Sequence, residues 1–441
     1  MLITLTLLSQ DYIVQGIRYE LRTSKECSVT GYEPAALAED VMIPSAVDYQ
    51  GTRYKVVEIR DNAFQENIKI KSVTIAEGVR RLGDRLFAGC YGLRRVAISR
   101  GPSAIGKHTF MQCTALETVA LPEGLTTIGT GAFSGCEALR TIDLPQELTQ
   151  IGTEAFASCQ SLAAISLPSN LEHLGRLAFA ECASVTSYTI APSNPHYTSI
   201  DGVLFTKDQR TLLFYPGGAK ETSYTVPQSV EVIGSSALAR TTHLRTITLP
   251  QGLKKVSDRA FMGCNELRSL TIPEGATHLE DYALGGCYAL ERVALPSTIA
   301  IIGHNVLCYC PELKELSITL SHPPTVSPTM FDQTPINRAT LRVPTGSEGN
   351  YRATAGWSAF GTIKGDLTSG SHNDTVQVFT NPNGVMIIGL GIGEEIFVYD
   401  TSGTNVKQLT TDSAEELFIP LEQGEYYVRV RGTVYKAICR Q

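Results

Sequence analysis

The feature that most constrains the fold of this chain is a sequence repeat with a period of 23 residues. Cysteine returns at this interval in two runs, at Cys90, Cys113, Cys136, Cys159 and Cys182, and at Cys264, Cys287 and Cys310. Three residues before that position stand Phe64, Phe87, Phe110, Phe133, Phe156, Phe179 and Phe261, or leucine at Leu238, Leu284 and Leu307. Ten units lie in register between about residues 56 and 318, with one interruption.

Each unit contains a short segment in which apolar and polar residues alternate. In LRTIDL, residues 139–144, Ile142 and Leu144 are predicted to point inward, and Thr141 and Asp143 outward. One unit buries too little apolar surface to fold alone, so the units must stack. The period and the L-x-x-L-x-L pattern predict a leucine-rich-repeat solenoid with a parallel β-sheet on its concave side and short helical turns on its convex side.

Several longer phrases recur within the repeats or close them, among them IGTGAFSGC, LPEGL and HPPTVSPTMF. With these phrases the chain resembles the BspA-like leucine-rich repeat proteins over about residues 11–365. The resemblance implies a secreted or surface-exposed bacterial protein that adheres to host matrix glycoproteins. The asparagine ladder of common leucine-rich repeats is mostly absent, so the turn backbone must find hydrogen-bond partners elsewhere.

The period divides the chain into an N-terminal β cap at residues 1–55 and repeats at residues 56–365. The apolar residues 1–10 are either the remnant of a signal peptide or a first β-strand. An insertion near residues 191–226 interrupts the repeats. Its segment Ser199–Gly218 is either a protruding hairpin or an oversized coil within the same sheet.

The repeat ends before the C-terminus. Residues 366–374 are polar and rich in glycine and serine, which predicts a linker. Short alternating runs then predict a small β-sandwich over residues 375–441. This segment resembles the C-terminal sorting domain of type IX secretion, and the resemblance implies a secretion signal. The matching residues are Asn381, Pro382, Gly384, Asp400, Gly403, Gly424, Tyr426, Val428, Val430 and Lys436.

Charge and hydropathy limit the kinds of partner. The net charge is −7, and acidic and basic residues are interspersed without a basic stripe, so we expect no nucleic-acid partner. No stretch reaches the roughly 18 consecutive apolar residues of a membrane span. We expect a monomer.

The sequence offers little chemistry. Metal sites need convergent ligands such as C-x-x-C pairs, which are absent, so the eleven cysteines are predicted to be buried core thiols rather than disulfides, ligands or catalysts. GLGIGEE, residues 389–395, lies between predicted strands and indicates a hairpin turn rather than a phosphate-binding loop. Without a nucleophile–base arrangement, the sequence predicts no cofactor and no enzymatic activity.

The outward side of the predicted sheet remains as a binding surface. Its residues are mostly serine, threonine and alanine, so charged members and their neighbours are the candidates for contact with a partner: Arg95, Thr118, Thr141, Asp143, Arg292 and Glu315. We expect an adhesion protein for a protein or glycoprotein ligand. A glycan-binding module for nutrient capture is the alternative, although the sheet lacks aromatic residues on which sugars could stack. An enzyme is the third possibility.

Overall fold

A computed structural model describes residues 11–368, 377–381, 384–390, 395–411, 415–430 and 433–439. The predicted signal remnant, most of the predicted linker and part of the predicted hairpin turn at 389–395 lie outside these ranges. The predicted solenoid is confirmed: consecutive units stack, and strands at equivalent positions pair in parallel.

The outward-facing sheet of the repeats is built from strands of three to six residues, which we call the long ladder. Its pairing is broken into groups of four, two and seven strands. The strands are Asp40–Ile43, Ser72–Ile75, Arg95–Ile98 and Thr118–Ala120, then Ile165–Leu167 and Tyr188–Ile190, then Ser223–Thr225, Thr246–Thr248, Ser269–Thr271, Arg292–Leu295, Glu315–Ile318, Thr340–Pro344 and Thr362–Leu367.

A second parallel ladder, absent from the sequence prediction, runs through the I-G segments of the units. We call it the short ladder, because most of its strands have two residues. Its strands are Arg81–Leu82, Ala104–Ile105, Thr127–Ile128, Gln150–Ile151, His173–Leu174, Val232–Ile233, Lys255–Val256, His278–Leu279 and Ile301–Ile302.

The convex segments form consecutive turns rather than helices. In the unit around Phe156, the N–H groups of Glu154, Phe156 and Ser158 donate to carbonyls of the next unit at 2.8–3.0 Å. An N–H that donates to the next unit cannot also complete an intrahelical bond. Glu154 (φ 55°) and Ser158 (φ 60°) are left-handed, which also interrupts a helix. Within the described residues, helical structure is limited to the 3-10 turn Ile336–Arg338 and the α-helix Glu348–Ala353.

The first strands extend both ladders at the N-terminal end. Asp40–Ile43 pairs with the first long-ladder strand of the repeats, and Thr52–Ile59 pairs with Arg81–Leu82. The remaining strands of this region are Asp11–Val14, Ile17–Leu21, Glu26–Tyr32 and Ala46–Tyr49. The cap at residues 1–55 stays a prediction, and the strand Thr52–Ile59 crosses its predicted boundary with the repeats.

The other end of the repeats is covered by aromatic side chains. Trp357 and Tyr351 are fully buried and meet edge to face at 5.5 Å. Trp357 Nε1 donates to Pro324 O at 2.8 Å, and the Tyr351 hydroxyl donates to Leu320 O at 2.7 Å. The polar atoms of Trp357 and Tyr351 thus have hydrogen-bond partners, while their rings cover the end of the hydrophobic core.

The insertion lies inside the sheet and joins two hydrophobic cores. Its strands Tyr197–Ile200, Val203–Thr206 and Thr211–Phe214 pair antiparallel, and the last continues into the short ladder. In the middle strand, Leu204 packs into the N-terminal core, whereas Val203 and Phe205 pack into the C-terminal one. The insertion is therefore an enlarged coil of the solenoid, not a protruding hairpin.

The C-terminal residues form a separate pair of antiparallel sheets. One sheet contains Gln377–Asn381, Gly384–Leu390 and Glu415–Pro420, and the other contains Glu395–Asp400, Asn405–Thr410, Gly424–Val430 and Thr433–Cys439. Apolar side chains of both sheets share one core, and Cys439 Sγ donates to Gly384 O at 3.4 Å between them. The described part of this segment is thus a small all-β sandwich.

Candidate functional site

The long ladder brings two of the predicted contact residues side by side near its N-terminal end. Arg95 and Thr118 are register partners on neighbouring strands, and both are exposed. Val96 and Val119 beside them are buried, so the predicted alternation of inward and outward residues is correct at these strands.

Thr141 and Asp143 also point outward, but the structure assigns no strand to their segment. Ile142 is buried between them, so the direction of the side chains follows the prediction while the strand pairing does not. Bonds beside the segment keep the unit in the stack, because Ala138 N donates to Thr114 O and Ser161 N donates to Glu137 O, each at 3.1 Å. The predicted surface therefore has a gap at this unit.

Arg292 and Glu315 are register partners towards the other end of the ladder, as predicted. The ion pair that Glu315 forms is nevertheless with the following strand: Arg342 Nη1 lies 3.6 Å from Glu315 Oε1. Arg342 Nε also donates to Asp366 Oδ1 at 3.0 Å. The C-terminal end of the long ladder thus carries a row of charges, whereas its middle carries hydroxyl groups such as the Ser166–Thr189 pair at 3.0 Å.

The cysteines lie inside the solenoid and have a structural role. All eleven are buried and free of disulfides. Each repeat thiol donates to the carbonyl 26 residues earlier, as in Cys136 Sγ to Phe110 O at 3.2 Å and Cys159 Sγ to Phe133 O at 3.3 Å. Burial raises the pKa of the Cys90 thiol to about 12 and that of Cys136 well above its usual value, so these thiols stay protonated. No group of three or more potential metal ligands occurs within the described ranges.

A groove that the sequence analysis missed lies on the turn side of the C-terminal units. We call it the tyrosine groove; it has a volume of about 590 Å³. Tyr282, Tyr288 and Tyr309 stand along it, over a floor that includes Gly285 and Gly286. The other lining residues are Ala183, Arg240, Thr242, Met262, Gly263, Asn265 and Cys308.

A pocket of about 500 Å³ adjoins the tyrosine groove at Tyr282, and both arginines that line it are paired with Asp258. Asp258 is the centre, because Arg176 Nη2 lies 2.7 Å and Arg259 Nη1 lies 3.7 Å from its Oδ2 atom. Glu280 forms an ion pair with Lys255, whose Nζ atom lies 2.6 Å from Glu280 Oε1. These pairs bind neighbouring coils together and leave little free charge for a ligand.

The sequence signal for the tyrosine groove was present but weak. Tyr309 stands where other units carry glycine or a polar residue, and Tyr288 shares its position with only one other aromatic residue, Tyr91. Gly285 stands where the other units keep a side chain, whereas the position of Gly286 is also glycine at Gly89, Gly135 and Gly263. Each substitution is unremarkable within its own unit. The groove appears only when three consecutive units are stacked.

Together, the stacked 23-residue units and the paired ladders define a leucine-rich-repeat solenoid. The chain belongs to the family described as "BspA type Leucine rich repeat region", which matches residues 57–186 and 213–337 in six copies, more than half of the chain. No curated protein matches the chain.

Solved structures of bacterial repeat proteins share the fold. A leucine rich cell surface protein from Faecalibacterium prausnitzii is 24% identical, covers 70% of this chain and 94% of its own, and has a TM-score of 0.53. The pneumococcal vaccine antigen PcpA is 20% identical over 82% and 100% of the two chains, with a TM-score of 0.61. A leucine-rich repeat protein from Eubacterium ventriosum is 20% identical over 76% and 77%, with a TM-score of 0.50.

Proposed function

We propose that this chain is a bacterial cell-surface adhesion protein that recognises a protein or glycoprotein partner, with host extracellular matrix glycoproteins as the first candidates. The observation that carries the proposal is the long ladder, an outward-facing sheet whose hydroxyl rows end in the charged residues Arg292, Glu315 and Arg342. A broad flat surface of this kind suits contact with a macromolecule better than capture of a small substrate.

The family and its relatives support a location outside the cell. One relative of the same fold is described as a cell surface protein and another as a vaccine antigen. Within the described residues, no helix combines the length and the apolar character needed to cross a bilayer. We propose no enzymatic activity, because the family and these relatives are described as leucine-rich repeat proteins.

The test is direct binding of the purified chain to immobilised fibronectin, laminin and collagen. For each matrix protein that binds, we expect the double change Arg292→Ala and Glu315→Ala to weaken the affinity by about fivefold or more. The change removes charge from an otherwise hydroxylic surface. The ion pair that this double change removes is Arg342–Glu315, and a surface pair contributes only about 0–1 kcal/mol to folding, so the melting temperature should change little.

The matched control is the double change Arg100→Ala and Glu123→Ala. These two residues are charged and exposed on neighbouring units, where they form an ion pair, but they lie outside the long-ladder strands. Equal binding by the wild type and the ladder variant would reject the ladder as the contact surface. The insertion at Ser199–Gly218 would then be the next candidate, through its partly exposed strand Tyr197–Ile200.

We further propose that residues 375–441 act as a type IX sorting domain. Support comes from the resemblance of the sequence and from the compact sandwich that the described residues form. Deleting the domain should leave the repeats folded and retain the protein in the periplasm, as measured by circular dichroism and cell fractionation. Normal surface display of the truncated chain would contradict this role.

A further inference from the structure

We propose that the tyrosine groove is a binding site for a neutral oligosaccharide. This site goes beyond adhesion through the long ladder: it involves other residues, on the turn side of the solenoid, and another class of ligand. Its volume of about 590 Å³ falls within the range of about 300–1,000 Å³ that is usual for ligand sites.

The groove exists because side chains are missing at its floor. Gly285 and Gly286 occupy positions that hold Met111 and Gln112 in an earlier unit. A Cβ atom on Gly286 would meet only backbone atoms of Gly263, at 3.9–4.0 Å, so a longer side chain there would extend into open space. The missing side chain at Gly286 therefore leaves the channel open, whereas a Cβ atom on Gly285 would meet Cys308 Sγ at 3.1 Å.

The tyrosines along the channel have free faces. Tyr288 is 54% exposed and Tyr309 is 50% exposed. Among the described residues, neither ring contacts another aromatic ring, and Tyr282 has one face against Arg259 at 5.5 Å. An aromatic face carries negative charge density, which attracts the polarised C–H groups on the flat side of a sugar ring.

Polar groups beside the rings match the hydroxyl groups of a sugar. Asn265 is exposed, and with its side-chain amide flipped to satisfy both polar atoms, the nitrogen donates to Gly286 O at 3.1 Å and Gly263 O at 3.3 Å, which leaves the oxygen as an acceptor. Thr242 contributes an exposed hydroxyl group. Each tyrosine hydroxyl can also donate and accept a hydrogen bond.

The charge balance favours a neutral ligand over an anionic one. Arg240 is the cation that lines the groove, and its Nη2 atom already lies 3.5 Å from Glu181 Oε2. The two arginines that line the adjoining pocket are paired with Asp258, and Lys255 is paired with Glu280. A sulfated or uronic-acid chain would therefore find little unpaired positive charge.

The experiment measures binding of sugars to the purified full chain by isothermal titration calorimetry. The probes are maltohexaose, cellohexaose, xylohexaose and mannohexaose, with hexagalacturonic acid as the anionic comparison and a proline decamer as the peptide comparison. We expect at least one neutral hexasaccharide to bind, and the anionic sugar and the peptide to bind at least about tenfold more weakly.

Three variants locate the site. Tyr288→Ala and Tyr309→Ala should each weaken binding by about tenfold, and Gly286→Gln should abolish it by filling the channel. Glutamine is tolerated at that turn position, since Gln112 occupies it with φ 60°. The matched control is Tyr91→Ala, because Tyr91 stands at the position of Tyr288 in another unit, is equally exposed at 54%, and lies outside the groove.

Any one of three results would overturn the proposal. The first is that no neutral hexasaccharide binds at about 5 mM. The second is that the peptide or the anionic sugar binds as tightly as the best neutral sugar. The third is that the sugar binds and the groove variants behave like Tyr91→Ala. Binding to matrix glycoproteins through the long ladder is measured separately, so either proposal can fail alone.

Discussion

At the scale of single residues, the turns hold many side chains in the left-handed region. Every unit has two such positions, occupied in one unit by Glu154 at φ 55° and Ser158 at φ 60°. A residue with a Cβ atom pays about 1–2 kcal/mol for this conformation, whereas glycine adopts it freely. The sequence therefore retains strain that a glycine would remove.

Glu154→Gly should stabilise the protein by about 1 kcal/mol, because Glu154 is exposed and its backbone already has φ > 0. The matched control is Glu137→Gly, an exposed glutamate of the preceding unit that is not left-handed. That change should destabilise by about 0.5–1 kcal/mol through backbone entropy. Urea denaturation measures both, and a loss of stability in both variants would contradict the assignment.

The buried thiols are a second residue-scale feature. Burial raises the pKa values of Cys90, Cys182 and Cys310 to about 12 each, while the thiols of the unfolded chain titrate near 9. The folded state therefore keeps protons that the unfolded state loses above pH 9. Each such thiol contributes stability that is fully present below pH 9 and is lost as the pH rises towards 12.

Cys136→Thr should make the alkaline loss of stability shallower. Removing one titrating thiol should reduce the slope of the unfolding free energy between pH 9 and 11 by about 1.4 kcal/mol per pH unit. Threonine fits the position in another unit, where Thr241 is buried and contacts Cys264 Sγ at 3.2 Å. Denaturation in reducing buffer measures the slope, and equal slopes would show that Cys136 also titrates normally in the folded protein.

At the scale of elements, the N-terminal units are held by a continuous stack of phenylalanine rings. From Phe64 to Phe179, adjacent ring centroids are 5.2–5.6 Å apart and the ring planes differ by 3–15°. Offset stacks of this kind contribute beyond the burial of apolar area. In the second half, Phe261 stands between Leu238 and Leu284, so the stack is absent there.

Phe133→Ala should cost about 3–5 kcal/mol, because it leaves a cavity in the middle of the stack. Phe133→Leu should cost about 1–2 kcal/mol, since leucine fills most of the space but removes two ring contacts. Phe261→Leu is the control and should cost less, because its neighbours in the row are already leucines. Equal losses for the two leucine variants, measured by chemical denaturation, would mean that ring stacking contributes nothing.

The sequence predicted the unit but not all of its hydrogen bonds. The spacing of Phe133 and Cys136 identified the buried rows, because every unit repeats the same burial. The short ladder was missed because strands of two residues have no recognisable alternation. The predicted helical turns are consecutive turns in the structure, because their N–H groups donate to carbonyls of the next unit. Those carbonyls are in reach only when the units are stacked.

At the scale of the whole molecule, strands of the insertion join the two halves of the solenoid. Leu204 and Phe205 are adjacent and fully buried, yet they belong to different cores. Two ion pairs also join residues before the insertion to residues after it: Arg176 pairs with Asp258, and Glu181 pairs with Arg240. The halves are thus linked both through the insertion and by ion pairs that reach past it.

Leu204→Ala should lower hydrogen-exchange protection mainly in the N-terminal repeats, and Phe205→Ala mainly in the C-terminal repeats. Each change opens a cavity in one core, at a cost of about 2–5 kcal/mol, and local stability in repeat arrays depends on nearest neighbours. Each variant is the control of the other. The same loss of protection across both halves would show that the solenoid unfolds as one unit.

The candidate sites differ in how far sequence alone could define them. The outward position of Arg95 and Arg292 followed from alternation within one strand. The ion-pair partner of Glu315 could not be predicted from the sequence, because Arg342 lies in a strand beyond the 23-residue period. The tyrosine groove required the alignment of three units and the double glycine, so its shape is a property of the stack.

The phenylalanine stack gives every coil of the first half nearly the same upper and lower face. Recombination between the DNA segments that encode two coils would therefore add or remove whole coils while each ring still met another ring. At the insertion this interchangeability ends, since Leu204 and Phe205 each fit one particular neighbour. Related genes should consequently differ in length by multiples of 23 codons on either side of the insertion, while the insertion itself keeps its length.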